Sequence, residues 1–124
     1  MKASCLLLAL LLPLNVLADQ LSPAAKEEIS HLFSSLETSG CEFYRNGTWH
    51  DSNAAGTHLK KKYQYLLDKG LLSSAESFIA MAATKSSLSG TPYQVRCGKA
   101  DTVESATWFS NELQNYRKNA ANKP

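Results

Sequence analysis

The stretch Phe43-Tyr44-Arg45-Asn46-Gly47-Thr48-Trp49-His50 decides how this chain folds. An Asn-Gly pair tolerates the positive φ that both central positions of a type I′ turn require, so the segment predicts a β-hairpin. The turn sets the register, with Arg45 opposite Thr48, Tyr44 opposite Trp49 and Phe43 opposite His50. Side chains alternate along a strand. One sheet face therefore receives Cys41, Phe43, Arg45, Thr48 and His50, and the other Glu42, Tyr44 and Trp49. The same segment gathers aromatics, an arginine and a histidine, the residue types of a binding surface.

Helical signals flank the hairpin. Ser22-Pro23 is a helix start, a capping hydroxyl followed by proline at the first helical position. Ala25, Ile29, Leu32, Phe33 and Leu36 then recur at helical spacing. Gly40 ends the helix, and His31 falls on its solvent side. After the hairpin, Asp51 or Ser52 caps a second helix running to about Lys69, and Gly70 stops it. Ser73-x-x-Glu76 reads as a capping box for a third helix, with Ala75, Phe78, Ile79 and Ala82 inward. A polar loop, Thr84 to Pro92, leads to a strand over Tyr93–Cys97. Glu104 or Ser105 opens a last helix through about Lys118, with Ala106, Phe109, Leu113 and Tyr116 inward, and the tail is expected to fray. The expected fold is a small α+β domain in the order α-β-β-α-α-β-α. It has a three-stranded antiparallel sheet, the hairpin plus one strand, packed against about four helices.

The first 18 residues, MKASCLLLALLLPLNVLA, read as a cleaved signal peptide. Lys2 gives a positive start, Leu6–Leu12 a short apolar run, and Val16-Leu17-Ala18 a small-residue cleavage site. The run falls short of the roughly 20 residues a membrane span needs, so no span is expected after cleavage. Residues 19–124 then form one domain. The formal net charge of +2 does not point to nucleic acid. Cleavage removes Cys5 and leaves Cys41 and Cys97, and an exported chain with two cysteines predicts a Cys41–Cys97 disulfide. Such a bridge would place the Tyr93, Val95 and Cys97 face on the Phe43 side.

The second helix contains a conflict. Ala55, Leu59, Tyr63 and Leu66 form its apolar stripe, yet Lys62 falls inside that stripe and His58 on its border. A lysine there either snorkels to water or lines a site. In the second reading Lys62, His58, Arg45 and His50 form a cationic pocket for a carboxylate, a phosphate or an acidic side chain. Ser87, Ser89 and Gly90 of the polar loop, with Tyr93, would add hydroxyls and backbone donors. Tyr44 and Trp49, on the opposite sheet face, are candidate anchors for a protein or glycan partner. No metal or cofactor is expected, since His50 and His58 lack ligand spacing. No G-x-S-x-G or S-x-x-K signature appears, so the chain reads as non-enzymatic. A small hydrolase using His58 with a nearby serine such as Ser89 is the catalytic alternative.

Taken together, CEFYRNGTWH, AAGTHLKKKY, SAESFIAMAATKSSLSGTPYQVRC and ATWFSNELQNYR resemble the YfeK-like group of small exported bacterial proteins. The group's motif falls here on Arg45, Asn46, Gly47, His58, Leu59, Lys62, Ser87, Ser89, Gly90 and Tyr93. The resemblance implies a periplasmic protein of a Gram-negative bacterium and no particular activity. Ser89-Gly90-Thr91-Pro92-Tyr93 also resembles the SG-x-x-Y segment that periplasmic lysozyme inhibitors insert into their target. The expectation is a small periplasmic protein that binds an anionic ligand or an envelope protein partner, with lysozyme inhibition as the alternative.

Overall fold

A computed structural model describes residues 21–123. The leader expected over residues 1–18 lies outside the described residues. Four helices and four strands follow in the order α1 (Pro23–Thr38), β1 (Glu42–Arg45), β2 (Thr48–Asp51), α2 (Ser52–Asp68), α3 (Ala75–Ala82), β3 (Gln94–Arg96), β4 (Val103–Glu104) and α4 (Ser105–Ala121).

The hairpin forms in the expected register, Arg45 opposite Thr48 and Phe43 opposite His50. Asn46 at φ 49° and Gly47 at φ 84° give the turn its two left-handed residues. The α+β class holds, but the three-stranded sheet is corrected to four antiparallel strands in the order β2-β1-β3-β4. Val103 and Glu104 pair with Val95 and Gln94, adding a strand at the outer edge of β3. Two residues are too few to show the alternation that marks a strand. What creates β4 is the unpaired edge of β3, which the chain reaches after a turn at Gly98 (φ 57°).

Helices α1 and α2 start on the caps their sequences offer. Ser22 Oγ accepts from the Ala25 N–H at 3.1 Å, and Asp51 Oδ1 accepts from the Ala54 N–H at 2.8 Å. The α3 box differs by one residue from the expected Ser73–Glu76 pair: Ser74 is the cap and Ser77 its partner. Helix α4 runs on past Lys118 to Ala121.

α1 packs against α2, α3 and α4, while α2 and α4 also reach the sheet. The core lies where these layers meet. Ile29, Leu32 and Leu36 of α1 are fully buried, as are Phe43, Leu59, Phe78, Val95 and Phe109. The disulfide joins Cys41 to Cys97, just outside the paired residues Glu42 and Arg96, and so clamps β1 to β3. His31, expected on the solvent side of α1, is half-buried and stacks on Tyr116 of α4 with ring centroids 4.3 Å apart.

Candidate functional site

The site is built on Tyr93, which enters β3 with its backbone N–H donating to the Thr84 carbonyl at 2.9 Å. Its ring packs against Phe43 at 5.0 Å between centroids, and the residue is only 2% exposed. A buried phenol needs a polar partner for its hydroxyl. Helix α2 supplies two. Lys62 Nζ donates to Tyr93 Oη at 3.2 Å, and His58 Nε2 lies 3.2 Å from the same oxygen. Lys62 also donates to the Lys85 carbonyl at 3.1 Å. Residues four apart share a helix face, so His58 and Lys62 reach one point from successive turns.

The charges of this cluster oppose one another. Burial, then the Arg45 and Lys62 charges, lower His58 from its usual 6.5 to about 4, with smaller contributions from His50 and Lys61. Burial and Arg45 also lower Lys62. Burial raises Tyr93, and Arg45 partly offsets that rise. At neutral pH, therefore, His58 is uncharged. The consistent hydrogen-bond chain runs from the Lys62 ammonium to Tyr93 Oη, and from the Tyr93 hydroxyl to His58 Nε2. That chain places the His58 proton on Nδ1. It also leaves one Lys62 N–H uncommitted.

Among the described residues, none of Arg45, His58 or Lys62 forms a salt bridge. The ion pairs join Lys60 to Glu37, Arg96 to Glu42, and Arg117 to both Glu28 and Glu76. No grouping of three or more His, Cys, Asp or Glu among the described residues is placed to hold a metal ion.

The polar loop is tied to the site rather than draped over it. Lys85 pairs with Pro92 across its base. Ser86 is buried, and its Oγ accepts from the N–H groups of Leu88 and Ser89 at 3.3 Å. Ser89 Oγ donates to Asn46 Oδ1 at 3.0 Å, joining the loop tip to the hairpin turn. Gly90 sits at φ 72° with open space where a Cβ would stand, so its part is to make the turn.

Of the residues singled out from sequence, Arg45, His58, Lys62 and Tyr93 come together. Ser89 braces them through Asn46. Ser87 and Lys62 together line a groove of about 260 Å³, with Lys61, Tyr65, Leu66 and Met81. Tyr44 and Trp49 stand on the other sheet face, ring centroids 5.3 Å apart, with the Arg96 guanidinium 3.9 Å above the Trp49 ring. Arg96 also makes a two-pronged pair with Glu42. Lys61, Tyr65 and Met81 were not read as site residues. Tyr65 and Met81 are 60% and 43% exposed, and only that exposure marks them, which a sequence pattern does not report.

Fold and site define a class: a small disulfide-clamped α+β domain with a cationic cluster, without a salt bridge among the described residues, at the junction of sheet and helix. A family model matches residues 23–117, and the chain belongs to that family, described as "Family of unknown function (DUF5329)". No curated protein and no solved structure matches the chain significantly. No helix among the described residues is long and apolar enough to cross a membrane.

Proposed function

We propose that this protein is a small, exported, non-enzymatic binding domain of the cell envelope, of the YfeK-like group. It takes a carboxylate or phosphate at the cluster of Arg45, His58, Lys62 and Tyr93. The carrying observation is that three basic groups converge on one half-buried place with no carboxylate among the described residues paired to them. Withdrawing a cation from water is costly, and setting it beside like charges costs more. A bound anion would relieve both penalties and take up the free Lys62 N–H. The short apolar leader of residues 1–18 and a disulfide, which persists in oxidising compartments, support export.

Two alternatives receive less support. Insertion of Ser89–Tyr93 into a target cleft would need a protruding tyrosine, and Tyr93 is 2% exposed. Hydrolysis would need a nucleophile within reach of His58. Among the described residues its hydrogen-bond partner is the Tyr93 hydroxyl, and Ser89 Oγ is committed to Asn46.

Sulfate at low millimolar concentration is a suitable probe because its charge is constant over the pH range that matters. His58 has a folded-state value of about 4 against an ordinary 6.5. Between these values the unfolded chain holds a proton that the folded chain refuses, so stability falls as pH drops through the window. A bound anion raises His58 and lets the folded chain accept that proton. The thermal midpoint should therefore rise with sulfate, more at about pH 5 than at about pH 7, and Lys62→Met should abolish the rise. An equal shift in wild type and Lys62→Met, or no shift, would remove the anion site.

A further inference from the structure

We infer that the groove beside the anion site receives a peptide end: a C-terminal residue with a bulky apolar side chain, its α-carboxylate on Lys61 and Lys62. The inference deepens the anion reading and rests on it for its charged half.

The groove between α2, α3 and the polar loop is apolar at its floor and basic at its rim. Leu66 is buried beneath it, while Tyr65 and Met81 are exposed at its sides. Lys61 and Lys62 line one end, and Lys69 Nζ lies 5.9 Å from the centre of the Tyr65 ring. The neighbouring acid, Asp68, is occupied by Gln64 at 2.9 Å. Leu88, directly after Ser87 on the opposite wall, is 95% exposed. Large apolar side chains left in water beside unpaired lysines are the complement of an apolar group carrying a negative charge.

Two dimensions select the occupant. Lys61 and Tyr65, and likewise Lys62 and Leu66, are four residues apart, so charge and apolar floor are separated by one helical turn, about 5.4 Å. A C-terminal residue has that span, since its carboxylate and side chain leave the same carbon. The volume of about 260 Å³ also lies below the roughly 300–1,000 Å³ of sites that enclose whole small ligands. It suits one large side chain whose remaining bulk stays outside, the arrangement by which an interface anchor fills a pocket. The donors available to the carboxylate are the uncommitted Lys62 N–H, the Lys61 ammonium and the Ser87 hydroxyl, the last two making no side-chain hydrogen bond among the described residues.

The test uses the oxidised protein and labelled acetylated hexapeptides ending in phenylalanine or leucine, as free acid, as C-terminal amide, and with a terminal alanine. Fluorescence anisotropy should show saturable binding of the bulky free acids. The amide and the alanine peptide should each bind at least about tenfold more weakly, the loss of one charge-assisted contact or one apolar anchor. Met81→Asn, a neutral change at an exposed position, should abolish peptide binding while leaving the sulfate-induced rise in thermal midpoint intact. Equal binding of acid and amide, or sulfate binding with no peptide binding, overturns this inference and leaves the anion site standing. If neither probe binds, both readings fall. Binding to phosphatidylglycerol vesicles that Met81→Asn abolishes, without peptide binding, would replace the peptide with a lipid surface.

Discussion

At the seam of α1, α3 and α4, Arg117 donates through Nε and Nη2 to Glu28 at 2.6 and 3.1 Å, and through Nη1 it meets Glu76 at 2.5 Å. At the junction of α2 and the sheet, Lys62 donates to a phenol and a carbonyl, with Arg45 and His58 nearby and none of the three in a salt bridge among the described residues. The first region holds a cation with its counter-ions. Its partners hold the Arg117 proton more firmly, and Arg117 in turn lowers Glu76. In the second region burial and the Arg45 charge lower Lys62, and burial, Arg45 and Lys62 together lower His58. Paired charge on three helices reads as structure. Unpaired charge at a place where two layers meet is the feature on which the proposed anion site rests.

The largest expected effect tests the frame on which the second region stands. Arg45 ends β1 and Tyr93 precedes β3, and the Cys41–Cys97 bond closes those strands across 56 residues. In the chain-entropy model a loop of that length stabilises by about 4 kcal/mol. Reducing the bond, or replacing both cysteines with serine, should lower the thermal midpoint markedly in a calorimetric scan, with the sulfate response weakened as well. A reduced protein that keeps its midpoint would mean the sheet register is held by the core alone.

The comparison itself is put at risk by two matched substitutions. Methionine keeps an unbranched apolar stem in place of either cation and deletes its charge. Arg117→Met should destabilise by about 1–2 kcal/mol, because it leaves the half-buried Glu28 without its donor. Lys62→Met should be close to neutral or mildly stabilising, because an apolar stem suits the α2 stripe and the lost charge was repelling Arg45. Urea unfolding of the pair measures both. Equal destabilisation would show Lys62 to be as structural as Arg117, and the contrast would lose its meaning.

Much of this arrangement was legible in the chain, and the reason is local. The Asn46-Gly47 pair sets both turn and register. The same register, with two cysteines, put Tyr93 and Val95 on the Phe43 face. The conflict at Lys62, a cation on an apolar stripe, was visible because helical periodicity is a local property. What Lys62 touches was not, since Tyr93 lies 31 residues on and meets it only in the fold. β4 escaped because tertiary pairing, not its own two residues, makes it a strand. The groove at Tyr65 and Met81 escaped for the converse reason. Their residue types suit a core, and only the packing of α2 against α3 shows that they remain outside it.

The smallest effect concerns a group that lacks a partner for a different reason. Ser105, the first residue of α4, is fully buried, and among the described residues its Oγ has no hydrogen-bond partner. Its backbone N–H donates to the Tyr93 carbonyl at 2.9 Å, holding the helix start against the strand that carries the site. A buried hydroxyl without a partner costs free energy that a methyl group does not. Ser105→Ala keeps the backbone bond and should leave stability unchanged or raise it by up to about 1 kcal/mol, read as a urea midpoint shift at constant slope. The sulfate response should not move, because Ser105 is sealed from solvent and its side chain carries no charge. A loss of about 1 kcal/mol or more would mean that the hydroxyl is satisfied by a buried water. Unpartnered polar atoms would then be a poorer guide in this fold, and the case for the cationic site would rest on its charge and on the groove beside it.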